Sequence, residues 1–155
     1  MITLREVQSS DLDRFFEFQQ DADAAHMAGF ASTNPSDRSI FDHHWHELLS
    51  SDDTIVRTID FDGEPVGSIA AFEDEDSREI MFWTDKRFWG RGLTRSAVTR
   101  FLEDFPERPV SARVVVDNGG TLSILQALGF REIGRESSFS NVRAEVVEEI
   151  LLQLD

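Results

Sequence analysis

Between Glu79 and Leu102 the chain passes from a strand-like run, Glu79 to Thr84, into a helical one through a turn holding Gly90 and Gly92. No other stretch restricts the fold as tightly. The helical side repeats its apolar residues at Leu93, Ala97, Val98, Phe101, Leu102 and Phe105, the spacing of a single helix face. The two glycines let backbone N–H groups approach a ligand, and a helix beginning near Thr94 adds unpaired donors and the positive end of its dipole. Residues 86–102 contain Lys86, Arg87, Arg91, Arg95 and Arg100 but no Asp or Glu, in a chain with 15 basic and 30 acidic residues. Such a cradle suits a pyrophosphate; a plain strand-turn-helix connection is the competing reading. A dinucleotide fingerprint would need Gly or Ala where Arg95 stands, and no Gly-Lys-Ser/Thr follows for a nucleotide-hydrolase loop.

With 155 residues the chain is expected to form one domain, 1–155, burying roughly two thirds of its unfolded surface. Cysteine is absent, which removes disulfides, thiolate metal sites and a cysteine nucleophile. No apolar stretch is long enough to span a bilayer, so the cytoplasm is the expected compartment. A net charge of -15 argues against nucleic acid or an anionic membrane as partner. It favours a cationic or amine-bearing small substrate only weakly, since a merely solvated surface explains it as well.

In chain order, residues 2–8 alternate as a strand, and Ser9-Ser10-Asp11 offers an N-cap for a helix carrying Leu12, Phe15, Phe16 and Phe18. Residues 22–35 lack a clear period and predict a loop framing a binding site. Ser36 or Asp37 caps a second helix with Ile40, Phe41, Trp45, Leu48 and Leu49 inward. His43 and His46 share a face of it, yet no third ligand is evident, so no metal is expected. Strands follow at 54–59 and 64–72, joined by a hairpin at Asp62-Gly63, and at 78–84. After the helix ended by Pro106 and Pro109, residues 110–116 predict a strand parallel to 78–84, because a helix separates the two. A turn at 117–120, a helix at 121–128 closed by Gly129, a strand at 131–136, a loop at 137–141 and a long strand at 142–154 complete the plan.

Order and motif together resemble the GNAT superfamily of acetyl-CoA-dependent N-acetyltransferases, and within it the branch acetylating amino termini (alanine) of ribosomal proteins. Its signature, Gln/Arg-x-x-Gly-x-Gly/Ala, fits from Arg87 to Gly92, or in the register Trp89 to Thr94 that matches the branch's Trp-Gly-Lys/Arg-Gly form. The second register is preferred, and Thr94 then stands where Gly or Ala is usual. A second block, Asn118 followed by a short helix and Gly129-Phe130, has the family's spacing. The resemblance implies an α+β fold with a mixed, mostly antiparallel sheet of about seven strands flanked by about four helices.

It also implies roles. Phe82, Trp83 and Thr84 would offer backbone groups to pantetheine; Trp89, Gly90, Arg91, Gly92, Leu93, Thr94 and Arg95 would hold the pyrophosphate; Asn118 would bond pantetheine or shape its turn. The reaction would be direct attack of a primary amine on the thioester of acetyl-CoA, without a metal. The acceptor would be a peptide amino terminus, polyamine, amino acid or amine-bearing small molecule. Glu79 is the candidate base, with a strand-end surface carboxylate as the alternative. Many members carry a tyrosine acid seven residues after the Asn, but Leu125 stands there and the chain has no Tyr. Thr121 and Ser123 are the remaining hydroxyls nearby. A family Glu used as base on the next strand falls at Arg113. His26, Phe30, Trp45 and His46 are expected to line the acceptor pocket. A non-catalytic acyl-CoA-binding sensor or partner module of the same fold is the alternative function, and a homodimer is left open.

Overall fold

The computed structural model describes residues 1–29, 34–73 and 77–155. The described chain runs β1 (Ile2–Arg5), α1 (Ser9–Phe18), α2 (Ala22–Ala28), α3 (Arg38–Ser50), β2 (Thr54–Phe61), β3 (Glu64–Glu73) and β4 (Arg78–Thr84). Then come α4 (Leu93–Asp104), β5 (Val110–Val115), α5 (Gly119–Ala127), β6 (Arg131–Ser140) and β7 (Glu145–Leu154). The strands form one sheet in the order β1-β2-β3-β4-β5-β7-β6. Every neighbouring pair is antiparallel except β4 and β5, the pair joined through α4. Between β2 and β3, Asp62 (φ 52°) and Gly63 (φ 90°) take the left-handed conformations that suit a two-residue hairpin.

Each face of the sheet carries its own apolar layer. Under α4 and α5, Ala97, Val98, Phe101 and Leu125 pack on Ile69, Ile80, Val110, Ala112, Val114, Ile150 and Leu152. Phe101 and Leu125 are at most 1% exposed, and burial of each side chain contributes about 2 kcal/mol. On the opposite face α1 and α3 bring Phe15, Phe18, Phe41 and Trp45 onto Val56, with Trp83 packed alongside. Alternation along β4 therefore sends Ile80 and Phe82 to the α4 side and Glu79, Met81 and Trp83 to the α1–α3 side.

One polar group lies between β1, α1 and β2. Asp11, 2% exposed, accepts bonds from Arg5 Nη1 (2.7 Å) and Nη2 (2.8 Å), the Gln8 N–H (2.8 Å) and the Thr58 hydroxyl (2.8 Å). Burial pushes its pKa up, but these donors outweigh it and hold the carboxyl below its usual range.

Several expectations are corrected. Gln8, not Ser9 or Ser10, is the N-cap of α1, and Asp11 closes the capping box from N3. Residues 22–28 form α2, started by Asp21, whose side chain accepts from the Ala24 N–H (3.0 Å), and stopped by left-handed Gly29. The described residues thus hold five α-helices, one more than expected. At the other end β6 continues through Ser140, and residues 141–144 form the turn that precedes β7. Every strand thereby finds a neighbour without a long unpaired segment. Among the described residues no helix is long and apolar enough to cross a membrane.

Candidate active site

β4 and β5 pair at only two positions, Arg78 with Val110 and Glu79 with Ser111. Beyond Glu79 the strands part, and the sheet opens a wedge whose wide end faces the loop after β4. The Arg78 N–H donates to Pro109 O (3.3 Å) on the β5 side, so alternation turns the main-chain groups of Ile80, Phe82 and Thr84 into the wedge. Trp83 turns its own to β3, where its carbonyl lies so near Gly67 that a Cβ there would sit 2.3 Å from the oxygen. Of the expected pantetheine contacts, Phe82 faces the gap through its backbone. Thr84 O is already bonded by the Trp89 indole N–H (3.0 Å). The Trp89 side chain thus braces the loop, and half of it remains open to solvent.

A single 3-10 turn, Lys86–Phe88, follows β4, capped by Asp85, whose carboxylate accepts from the Arg87 N–H (3.1 Å). Gly90 (φ 77°) and Gly92 (φ 76°) are both left-handed, and Gly92 is the N-cap of α4. A Cβ built on either would meet nothing within 4 Å, so the space in front of the loop is open. The first α4 helical bond is Ser96 N–H to Gly92 O (3.1 Å), which leaves the N–H groups of Leu93, Thr94 and Arg95 without intrahelical partners. Thr94 does not crowd this space: its hydroxyl donates to Thr84 Oγ1 (3.0 Å), tying α4 to β4. Of the basic residues, Lys86 pairs with Asp23, Arg87 with Asp85 and Glu64, and Arg100 with Asp104. Arg91 and Arg95 are exposed and have no carboxylate partner among the described residues; Arg91 lies over the Phe88 ring at 5.3 Å. The loop has the features that a diphosphate site needs: two glycines with no atom near an added Cβ, an uncapped helix start and two guanidinium groups with no carboxylate partner among the described residues.

α2 straddles the wide end of the wedge. Near its start Asp23 pairs with Lys86, just beyond β4. At its other end Arg143 donates to His26 O (2.9 and 2.7 Å), Asn118 Nδ2 to Met27 O (3.3 Å), and the Ser140 hydroxyl to Gly29 O. Arg143 also grips Asp117 with two bonds (2.6 and 2.9 Å). Asn118 completes the arrangement by capping α5, its Oδ1 accepting from the Thr121 N–H (3.3 Å). Both polar atoms of Asn118 are therefore bonded within the chain, and it shapes the turn.

The catalytic candidates are dispersed. Glu79 lies at the narrow end of the wedge and accepts from Arg113 Nε (3.0 Å), while Arg113 Nη1 donates to Glu136 (2.6 Å). Thr121 is half-buried at the start of α5. Ser123 is exposed, two residues round the helix and so on the side away from Thr121 and Leu125. Leu125, at the expected tyrosine position, is 0% exposed in the core.

Of the residues expected to line an acceptor pocket, the three described, His26, Trp45 and His46, do not converge. Trp45 is a core residue, its ring 5.1 Å from that of Phe15, because α3 turns the same face to β2 as Phe41 does. His46 is exposed on the outward side of α3, and His26 is exposed on α2. Phe30 lies outside the described residues. His43 meets Glu47 (3.2 Å), and among the described residues no group of three His, Cys, Asp or Glu is placed to hold a metal ion. A cavity of about 420 Å³ does lie beside α1 and the 3-10 turn, lined by Arg14, Glu17, Phe18, Asp21, Glu64 and Lys86 among others. Glu149 on β7, which no local sequence pattern marks, shares the sheet face of Glu79 and Arg113.

Known structures share this architecture. Spermidine N-acetyltransferase from Vibrio cholerae, in complex with CoA and spermine, superposes with a TM-score of 0.85 at 15% identity, over 99% of this chain and 94% of that one. The ribosomal-protein-alanine N-acetyltransferase of Brucella melitensis gives 0.81 at 19% identity, covering 98% of both chains. Mycobacterium smegmatis RimJ, in complex with CoA-disulfide, gives 0.79 at 20% identity, over 99% of this chain and 81% of that one. At such identities the likeness is one of fold. No curated protein sequence matches the chain. The acetyltransferase (GNAT) domain model matches residues 1–131, most of the chain and both sequence blocks, and the protein belongs to that family.

Proposed function

We propose that the protein transfers an acetyl group from acetyl-CoA to a primary amine by direct attack. The observation that carries this reading is the wedge that opens beyond Glu79 and Ser111 and leads to the Gly90–Arg95 loop. Main-chain groups of Ile80 and Phe82 offer one strand edge to an extended pantetheine arm, and the donors of residues 90–95 with Arg91 and Arg95 receive the diphosphate. The chain supplies position and polarity; the thioester supplies the activated acyl group.

The acceptor is an amine of the kind named for the structural neighbours, spermidine or a protein amino terminus. The net charge of -15 supports a cationic acceptor over an anionic one. We place the reaction in the cytoplasm, where acetyl-CoA is supplied. With Leu125 buried and no Tyr in the chain, the leaving thiolate departs unaided or takes its proton from water, its own pKa being not far above neutral. That same feature favours the second reading, a CoA-binding module without turnover. Two measurements separate them. Acetyl-CoA titrated into the protein raises its melting temperature under both readings, and free thiol appears over a panel of polyamines, amino acids and peptides under the first alone. Lack of any binding refutes both.

A further inference from the structure

The transferase reading leaves one step without a residue: removal of a proton from the arriving ammonium group. Glu79 and Glu136 both have their carboxylates occupied by Arg113, at 3.0 and 2.6 Å. Proton uptake by either would strip the guanidinium of one of its two anionic partners. Glu149 is placed differently. Strand register sets it directly across from Val115 on β5 and from Glu136 on β6, on the face that carries Glu79 and Arg113. Carboxylates directly opposite each other across a ladder destabilise the pair, yet Arg113 bonds only Glu136 of the two. Among the described residues no Lys or Arg forms an ion pair with Glu149.

The geometry points to Glu149 as the general base for acetyl transfer, acting on the amine directly or through one water from the β7 side of the wedge. This rests on the transferase reading. The Glu149 carboxylate takes one proton from the acceptor ammonium. The neutral nitrogen attacks the thioester carbonyl carbon, the N–C bond forms and the C–S bond breaks. The second proton leaves the nitrogen to water, from which the CoA thiolate takes one, so amide, thiol and one protonated carboxyl result. Arg113 then has a positioning part, holding Glu79 and Glu136 in place on the same face as Glu149.

The electrostatics agree with the placement. Burial pushes the Glu149 carboxyl above its usual range, Arg113 opposes this, Glu136 and Glu79 add to it, and the Ser138 hydroxyl opposes it. These groups come from β4, β5 and β6; on α2, packed over β5, the titratable His26 acts on Asp23 and Asp117. A carboxylate made more basic without a cation of its own is a better proton acceptor than an ordinary glutamate.

Two measurements test this. In the free protein, the carbon-13 resonance of the Glu149 carboxyl, assigned by its loss in Glu149→Gln, titrates above about 4.3, the ordinary glutamate value. In turnover, Glu149→Gln lowers kcat by at least about 100-fold and removes the acidic limb of the kcat profile. It leaves acetyl-CoA binding and melting temperature near those of the wild type. Glu149→Asp keeps the limb at reduced kcat. A Glu149 that titrates at or below the ordinary value, or a Glu149→Gln enzyme with unchanged kcat and limb, overturns the assignment. Loss of both kcat and limb in Glu79→Gln instead would return the role to Glu79. Failure of the transferase reading itself appears separately, as a wild type that binds no acetyl-CoA, and takes the assignment with it.

Discussion

Gly92→Ala separates backbone strain from ligand obstruction, because the loop provides its own control elsewhere in the chain. Gly92 (φ 76°) and Gly63 (φ 90°) are both left-handed, and at neither would an added Cβ meet any atom within 4 Å. Alanine therefore costs each site the same conformational penalty, about 1–2 kcal/mol, with no clash to add. For a chain of this size that lowers the melting temperature by about 2–8 °C. Only at residue 92 does the new methyl project into the open volume from which a phosphate would reach the α4 N–H groups. Losing one charge-assisted bond there costs about 1.5–3 kcal/mol, so the acetyl-CoA dissociation constant rises about 10-fold to 150-fold. Calorimetric titration of acetyl-CoA into both variants, with thermal melts alongside, reads the two effects independently. Equal loss of melting temperature with wild-type affinity in Gly92→Ala would refute the cradle, whatever the activity.

Two further perturbations test the frame around the site. Asp11→Asn leaves Arg5 without its bidentate partner and costs about 3 kcal/mol, the low end for a broken buried pair because Arg5 reaches solvent. Since the folded pKa of Asp11 lies below the unfolded one, its contribution is full above the unfolded value and is lost as pH falls through the folded value. Urea melts should therefore show the gap between wild type and variant narrowing only below about pH 4. Gly67→Ala would place a Cβ 2.3 Å from Trp83 O and 3.0 Å from Thr84 Cα, both backbone atoms that cannot swing aside. An overpacking cost of about 3 kcal/mol follows, with weakened acetyl-CoA binding because β4 must shift. Gly134→Ala, whose Cβ would meet only Leu151 Cδ1 at 3.8 Å, is tolerated in the same melts.

Strand alternation and the Asp62-Gly63 step make β2, β3 and β4 legible from sequence, and the parallel β4–β5 pair follows from the helix between them. α2 escapes that reasoning. Its residues are mostly alanine with one acid, one histidine and one methionine, so no repeat of large apolar side chains marks an inward face, and only Ala24 is buried. Its ends were marked all the same, by Asp21 as an N-cap and Gly29 as a left-handed stop. What holds it is remote in sequence: Lys86, Asn118, Ser140 and Arg143. The extension of β6 escaped for a related reason. Nearly every residue of it is exposed, so the strand owes its form to pairing with β7 and to no apolar pattern of its own.

The cradle and the base differ in legibility because their physics differs in range. Left-handed glycines and a helix start are local, so Gly90 to Arg95 can be read from a dozen consecutive residues. Even there, what the basic residues do is not local, since Lys86, Arg87 and Arg100 are spent on Asp23, Glu64, Asp85 and Asp104, leaving Arg91 and Arg95 without a carboxylate partner among the described residues. Basicity in a carboxylate has no local signature at all. Glu79 is attractive in sequence because Glu79-Ile80-Met81-Phe82 resembles the strand start at which histone-type members of the family carry a base, yet Arg113, 34 residues away, occupies it. Glu149 looks like one acid among several in β7 until register sets it opposite Glu136. Arg113, which stands where the resemblance would place the Glu that some family members use, engages the Glu on either side and thereby leaves a third on the same face for the proposed abstraction.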